Sequence, residues 1–198
     1  MNIGLTGGIA SGKSTAAQIL VKKGAHLVDA DQIAREIVEP GQAALSEIAQ
    51  HFGQDILKED GSLNRERLGQ VIFQDASQKK VLESIMHPRI RTVMMERMEL
   101  LEKQHANDLV VVDVPLLFES GLAGMFEEVW LVYVPESIQL TRLMLRNDLT
   151  EQEARARIQS QMPIDQKKDL ADVVIDNSGS MDATIAQIEQ HWRRKGLA

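Results

Sequence analysis

Gly7-Gly8-Ile9-Ala10-Ser11-Gly12-Lys13-Ser14 decides how the rest of the 198-residue chain is read. The spacing is G-x-x-x-x-G-K-[ST], set directly after the apolar run Ile3-Gly4-Leu5-Thr6 and directly before a helical pattern from Ser14 to Lys23. Glycines let successive main-chain N–H groups turn inward as a nest for phosphate oxygens. The helix that begins there adds its free N–H groups and the positive end of its dipole. Lys13 is placed to reach β- and γ-phosphates, the Ser14 hydroxyl to ligate Mg²⁺, and Thr15 to meet the α-phosphate. A glycine-rich helix cap is the bland alternative, and the strand–turn–helix context favours phosphate.

Outward from this loop, Gly24 stops the first helix and Ala25 to Asp29 reads as a second strand. Ile33, Ala34, Ile37 and Val38 share a helical face ended by Pro40-Gly41, and Leu45, Ile48, Ala49 and Phe52 repeat the spacing before Gly53. The polar stretch from Gln54 to Gly61 reads as a loop. Helical patterning follows from about Asn64 to Phe73, from Ser77 to Met86 up to Pro88, and from Arg89 to about Lys103. Strand signal returns at Leu109 to Asp113, Val129 to Val134 and Val173 to Ile175, apolar on consecutive positions as strands covered on both faces are. Between the last two lie helices near Ser137 to Arg146 and Glu151 to Met162, the second with Thr150 and Glu153 spaced as a capping box. This alternation predicts an α/β fold with a parallel sheet. The helical stretch between the second and third strands is too long for a crossover and reads as an inserted lobe.

Composition narrows the class. Zero Cys excludes a disulfide framework, thiolate zinc and thiol catalysis. No segment approaches the roughly 20 apolar residues of a spanning helix, and the first residues carry no leader-like pattern, so the expectation is a cytoplasmic protein with no membrane partner. A net charge of -7 argues against nucleic acid, which is bound through basic surface. Oligomeric state leaves no signature.

A nucleotide-binding chain of this kind could be a small-acceptor kinase, a switch or an ATPase motor piece. No guanine-reading N-K-x-D occurs, and the one D-x-x-G, Asp176 to Gly179, lies after the last strand. A kinase needs an acidic group near the metal, a carboxylate near the acceptor and an arginine-bearing lid. Asp113 closes the third strand. Asp31 follows the second, as acceptor-orienting carboxylate or as N-cap of the next helix. Arg142, on one helical face with Arg146, lies in a candidate lid.

Several blocks make the chain resemble the dephospho-CoA kinase family. They are Leu5 to Thr15, Asp29-Ala30-Asp31, Leu63-Asn64-Arg65, Met86-His87-Pro88, Val112 to Glu119 and Ala171 to Gly179, spread over nearly the whole length. The resemblance implies ATP-dependent phosphorylation of the ribose 3′-hydroxyl of dephospho-CoA, with Mg²⁺. It implies a P-loop NTPase core with a five-stranded parallel sheet flanked by helices, about 1–34, 106–135 and 164–198, a helical acceptor lobe at 35–105 and a lid at 136–163. By the same resemblance Asp31, Lys13 and Arg142 are catalytic. Gly8, Ile9, Ala10, Ser11, Gly12, Lys13, Ser14, Thr15, Arg142 and Asn177 hold ATP, and Ser14 and Asp113 the metal. Thr6, Asp31, Arg65, His87, Pro115, Leu116 and Phe118 belong to the acceptor. His87 before Pro88 also fits a buried helix-end histidine, and Lys168 or Lys167 could touch phosphate.

Overall fold

Alternating apolar runs and helical stripes give the chain five strands and nine α-helices among the described residues, which are 1–197 of a computed structural model. The strands are β1 (Asn2–Gly7), β2 (His26–Asp29), β3 (Val110–Asp113), β4 (Glu128–Tyr133) and β5 (Val173–Asp176). They form one parallel sheet in the order β2-β3-β1-β4-β5. Leu5 stands opposite Asp113 on one side and Trp130 on the other, which puts β1 at the sheet centre. Every residue of β1 and β3 is buried, as consecutive apolar runs require when helices cover both faces.

Contacts divide the chain into two units, Met1–Val28 with Met98–Ala198, and Asp29–Arg97. In the first, α1 (Lys13–Lys22) and α9 (Met181–Arg194) cover the sheet. Ala16, Ala17 and Leu20 meet Ile188 and Trp192 over Ile3, Leu5, Val111, Trp130 and Val132. The helices α6 (Glu136–Asn147) and α7 (Glu151–Gln159) pack through Leu143, Ala154 and Ile158, against which Ile9 and Ala10 lie. The expected capping box at Thr150 and Glu153 is formed. A helix the patterning did not foresee, α8 (Ile164–Leu170), leads into β5.

The second unit holds α2 (Ala30–Glu36), α3 (Ala43–Phe52) and α4 (Arg65–Gln74), with Asn64 as the side-chain N-cap of α4. The stretch read as a loop after Gly53 forms a 3₁₀ turn and a bridge between Leu57 and Leu63. One correction concerns Pro88. The expected break there does not occur, and α5 runs unbroken from Ala76 to Gln104. Proline withholds an N–H and crowds the preceding turn. The Arg89 guanidinium donates to the Ile85 carbonyl at 2.6 Å, and Glu47 holds its other arm at 2.5 Å. The carbonyl that loses its N–H is that of Ser84, and the Arg89 side chain secures the neighbouring carbonyl in the same turn. Among the described residues no helix is long and apolar enough to cross a membrane.

Candidate active site

The phosphate loop joins β1 to α1 at the carboxyl end of the central strand. Gly12 precedes the helix with φ +90°, and Ala10 also sits in the left-handed region at φ +59°. Ser11 N–H donates to Gly8 O at 3.1 Å and Thr15 N–H to Gly12 O at 3.0 Å. Helix geometry leaves the amides of Lys13 and Ser14 without intrahelical partners, so they point outward as an anion site. The Lys13 ammonium is bonded to Asp113 Oδ1 at the end of β3, and Ser14 is exposed beside it in sequence. A carboxylate and a hydroxyl are hard oxygen donors and too few for a closed cage. That set suits Mg²⁺, which keeps waters and takes its remaining ligands from phosphates.

The loop is braced from outside by two glutamines. Gln139 Nε2 donates to Ile9 O at 2.8 Å, and Gln161 Oε1 accepts Ile9 N–H at 3.0 Å. Both main-chain polar groups of Ile9 are therefore held by side chains, one from α6 and one from the segment after α7, so Ile9 serves as a fixed corner of the loop. A Cβ at Gly8 would collide with Gln139 Nε2 and lie 3.0 Å from Ile164 Cδ1, which explains the second glycine of the pair. Gln139 is 2% exposed.

A third brace comes from Asn177, the residue that follows β5. Asn177 Nδ2 donates to Ser11 O at 2.8 Å, and its Oδ1 accepts the Thr184 hydroxyl at 2.9 Å. Its carbonyl takes Arg142 Nη2 at 2.9 Å. The Asn177 carboxamide thus faces the phosphate loop on one side and Thr184 on the other. Around it, Ala10, Gly12, Thr15, Arg142, Leu145, Arg146, Gly179 and Met181 line a cleft of ≈ 580 Å³. Leu145 is 82% exposed and Met181 50%, an apolar pair open to the cleft.

The expected acceptor residues divide. Asp29 Oδ1 accepts the N–H groups of Asp31 and Gln32 and is the N-cap of α2. That removes the capping role from Asp31, whose exposed carboxylate has no partner among the described residues. Thr6 is a correction. It is fully buried and its hydroxyl donates to Pro115 O at 3.1 Å, so it shapes the loop after β3 and offers no surface to a ligand. In that loop Leu116 is exposed, Pro115 and Phe118 are half-buried, and Leu117 packs over Gly4. Arg65 lines a second cleft, of ≈ 440 Å³, with Arg35, Lys58 and Asn64, all in the Asp29–Arg97 unit. His87 is exposed in mid-α5, which overturns the buried helix-end reading. Lys168 lies 4.6 Å over the Tyr133 ring, while Lys167 is fully buried 2.8 Å from Glu119.

Sequence reasoning missed Gln139, Gln161, Leu145, Met181 and the Glu119–Lys167 pair. One signal was present: Gln139, Lys167 and Thr184 each sit a helical turn from a buried apolar residue, Leu143, Ile164 and Ile188. A polar group inside an apolar stripe must find a partner. A further cluster, His26, His105 and Asp108, lies at the amino ends of β2 and β3. Its imidazoles stack at 3.9 Å with planes 25° apart, so their lone pairs run side by side rather than converge on an ion.

The family model for dephospho-CoA kinase matches residues 1–183. A dephospho-CoA kinase of Shouchella clausii is 50% identical over 188 residues, 95% of each chain. Among solved structures, TT1252 from Thermus thermophilus matches with a TM-score of 0.84 at 32% identity, over 98% of this chain and 97% of that one. The dephospho-CoA kinase from Campylobacter jejuni matches at 0.77 and 32%, over 100% and 98%. A braced phosphate loop on a parallel sheet and similarity along almost every residue agree, and the chain belongs to the dephospho-CoA kinase family.

Proposed function

We propose that this protein transfers the γ-phosphoryl group of ATP to the ribose 3′-hydroxyl of dephospho-CoA, giving CoA and ADP, the last step of CoA synthesis. The observation that carries the reading is Lys13 held at Asp113 beside the unpaired amides that open α1. The triphosphate lies on residues 8–15, with the adenine against Leu145 and Met181 in the cleft beside Asn177. Arg142, tied to the Asn177 carbonyl, faces the phosphates from the lid, residues 136–163. Mg²⁺, when bound at Ser14 and Asp113, supplies positive charge to the β- and γ-oxygens.

The acceptor takes the helical lobe, residues 35–105. Arg35, Lys58 and Arg65 outnumber Glu39 and Glu66 in a cleft suited to the diphosphate of dephospho-CoA, and Leu116 in the loop after β3 offers an apolar contact. His87 stays with this lobe as an exposed donor. The 3′-oxygen attacks the γ-phosphorus in line as the bond to the β-phosphate oxygen breaks. Asp31 accepts or steers the hydroxyl proton, and in a loose transition state its aim counts for more than its basicity. Lys13 and Arg142 balance the charge on the transferring group. The surroundings are those of a cytoplasmic enzyme on small molecules, without membrane or nucleic-acid partner.

Coupled ADP release tests the assignment with dephospho-CoA, shikimate and nucleoside monophosphates offered in turn. Release only with dephospho-CoA is expected. Release with another acceptor reassigns the substrate, and acceptor-independent release points to a nucleotide-hydrolysing regulator.

A further inference from the structure

The loop after β3 is joined to the phosphate loop by a seven-residue strut, Gln161 to Lys167, which links the end of α7 to α8. At one end, Gln161 Oε1 accepts Ile9 N–H at 3.0 Å and Ile164 lies against Gly8. Next to Gln161, Met162 N–H donates to Glu119 Oε1 at 3.0 Å, and from the far end the Lys167 ammonium lies 2.8 Å from the same oxygen. The Lys167 contact is close but poorly aimed for a hydrogen bond, so charge carries it. Lys167 is fully buried, and an uncompensated buried charge is strongly unfavourable. Glu119 is therefore bound to follow the strut, and the strut to follow Glu119. Gln161 and Met162 are consecutive, so one peptide unit separates the grip on Ile9 from the grip on Glu119. Glu119 in turn follows Phe118 and stands three residues beyond the exposed Leu116.

We propose that Glu119 and Gln161 are positioning residues that carry the state of the 115–119 loop to the phosphate loop, so that a docked acceptor tightens the hold on the triphosphate. The inference rests on the reading of Pro115, Leu116 and Phe118 as acceptor surface. The strut makes the amide ring depend on a loop that touches the second substrate. Coupling of this kind is reciprocal, so the nucleotide tightens acceptor binding by the same factor. It also disfavours transfer to water while the acceptor is away.

Calorimetry on the full chain tests this, with the β,γ-imido analogue of ATP titrated with and without dephospho-CoA, and the reverse. The wild type is expected to show a coupling factor of about fivefold or more. Gln161→Met keeps the side-chain volume but removes the acceptor for Ile9 N–H, and coupling should fall to about one. Glu119→Ala with Lys167→Met removes the tether without stranding a charge, and should do the same. Glu119→Gln with Lys167→Met restores an acceptor for Met162 N–H and should recover the coupling. Wild-type coupling surviving in Gln161→Met with an unchanged melting temperature overturns the proposal, as does a wild type without coupling. Should the double variants fail to fold, Gln161→Met decides alone. Wild-type turnover of dephospho-CoA checks the acceptor reading separately. No turnover defeats that reading and the relay with it, whereas turnover with unaltered coupling in the variants defeats the relay alone.

Discussion

In the unit that carries the phosphate loop, the ties that brace the main chain of that loop from outside are neutral and shielded: Ile9 to Gln139 and Gln161, Ser11 to Asn177, and Asn177 in turn to Thr184. In the Asp29–Arg97 unit the ties are exposed ion pairs, Arg67 with Asp55, Arg89 with Glu47 and Arg97 with Glu36. The Arg97 guanidinium holds the Glu36 carboxyl below its ordinary range through a hydrogen bond. Pairs open to water stabilise by about 0–1 kcal/mol and are readily remade. Buried neutral hydrogen bonds fix geometry, because leaving one group unpaired costs about 1–3 kcal/mol. The contrast teaches where rigidity is needed. A triphosphate must meet donors already in place, whereas a long acceptor can be received by contacts that rearrange.

Lys13→Ala strikes the rigid side hardest, with a fall in kcat of about a hundredfold or more expected from loss of a charge-stabilising group. Asp31→Asn should match it within about tenfold in steady-state assays, yet leave the melting temperature unchanged, since the Asp31 carboxylate has no structural partner. If Asp31→Asn also lowers the melting temperature, the carboxylate supports the fold and the comparison fails at that point. Asn177→Ala comes next. Its loss unpairs Ser11 O and the Thr184 hydroxyl, and urea titration should show about 1–3 kcal/mol of destabilisation with a raised KM for ATP. Arg67→Ala, its counterpart on the exposed side, should stay within about 0.5 kcal/mol.

The smallest effect is one of pH. Burial, and then the Arg194 charge, push the His191 pKa below the ordinary histidine value. The unfolded chain therefore takes up the proton first. This contribution to stability is complete above the ordinary value and is lost as pH falls through it toward the depressed native one. His191→Gln should flatten the decline of the unfolding free energy from urea titration between pH 7.5 and 5.5 by less than about 1 kcal/mol.

The strands and the phosphate loop were legible because burial on both faces leaves a continuous apolar run, and because few loops share the Gly-x-x-x-x-Gly-Lys-Ser spacing. Asp31 was legible as a candidate, but its competition with Asp29 for the cap was a matter of one hydrogen bond. Pro88 misled because the compensation lies in a side chain, Arg89, and in Glu47 far away in sequence. Thr6 misled because the partner that turns its hydroxyl inward, the Pro115 carbonyl, lies 109 positions away in the chain. The glutamine braces escaped notice because they act across 130 and 152 positions of chain, and a glutamine on a helix ordinarily faces water.

That the braces on Ile9 are carboxamides has an electrical consequence. A glutamate in place of Gln161 would accept the same N–H more strongly, but would set a negative charge next to a tetra-anionic guest. Carboxamides neither titrate near neutrality nor lose strength as ionic strength rises, so the corner they hold keeps its shape across the salt and acidity a cell experiences. The one carboxylate in the chain of contacts, Glu119, sits a step further back and is offset by Lys167.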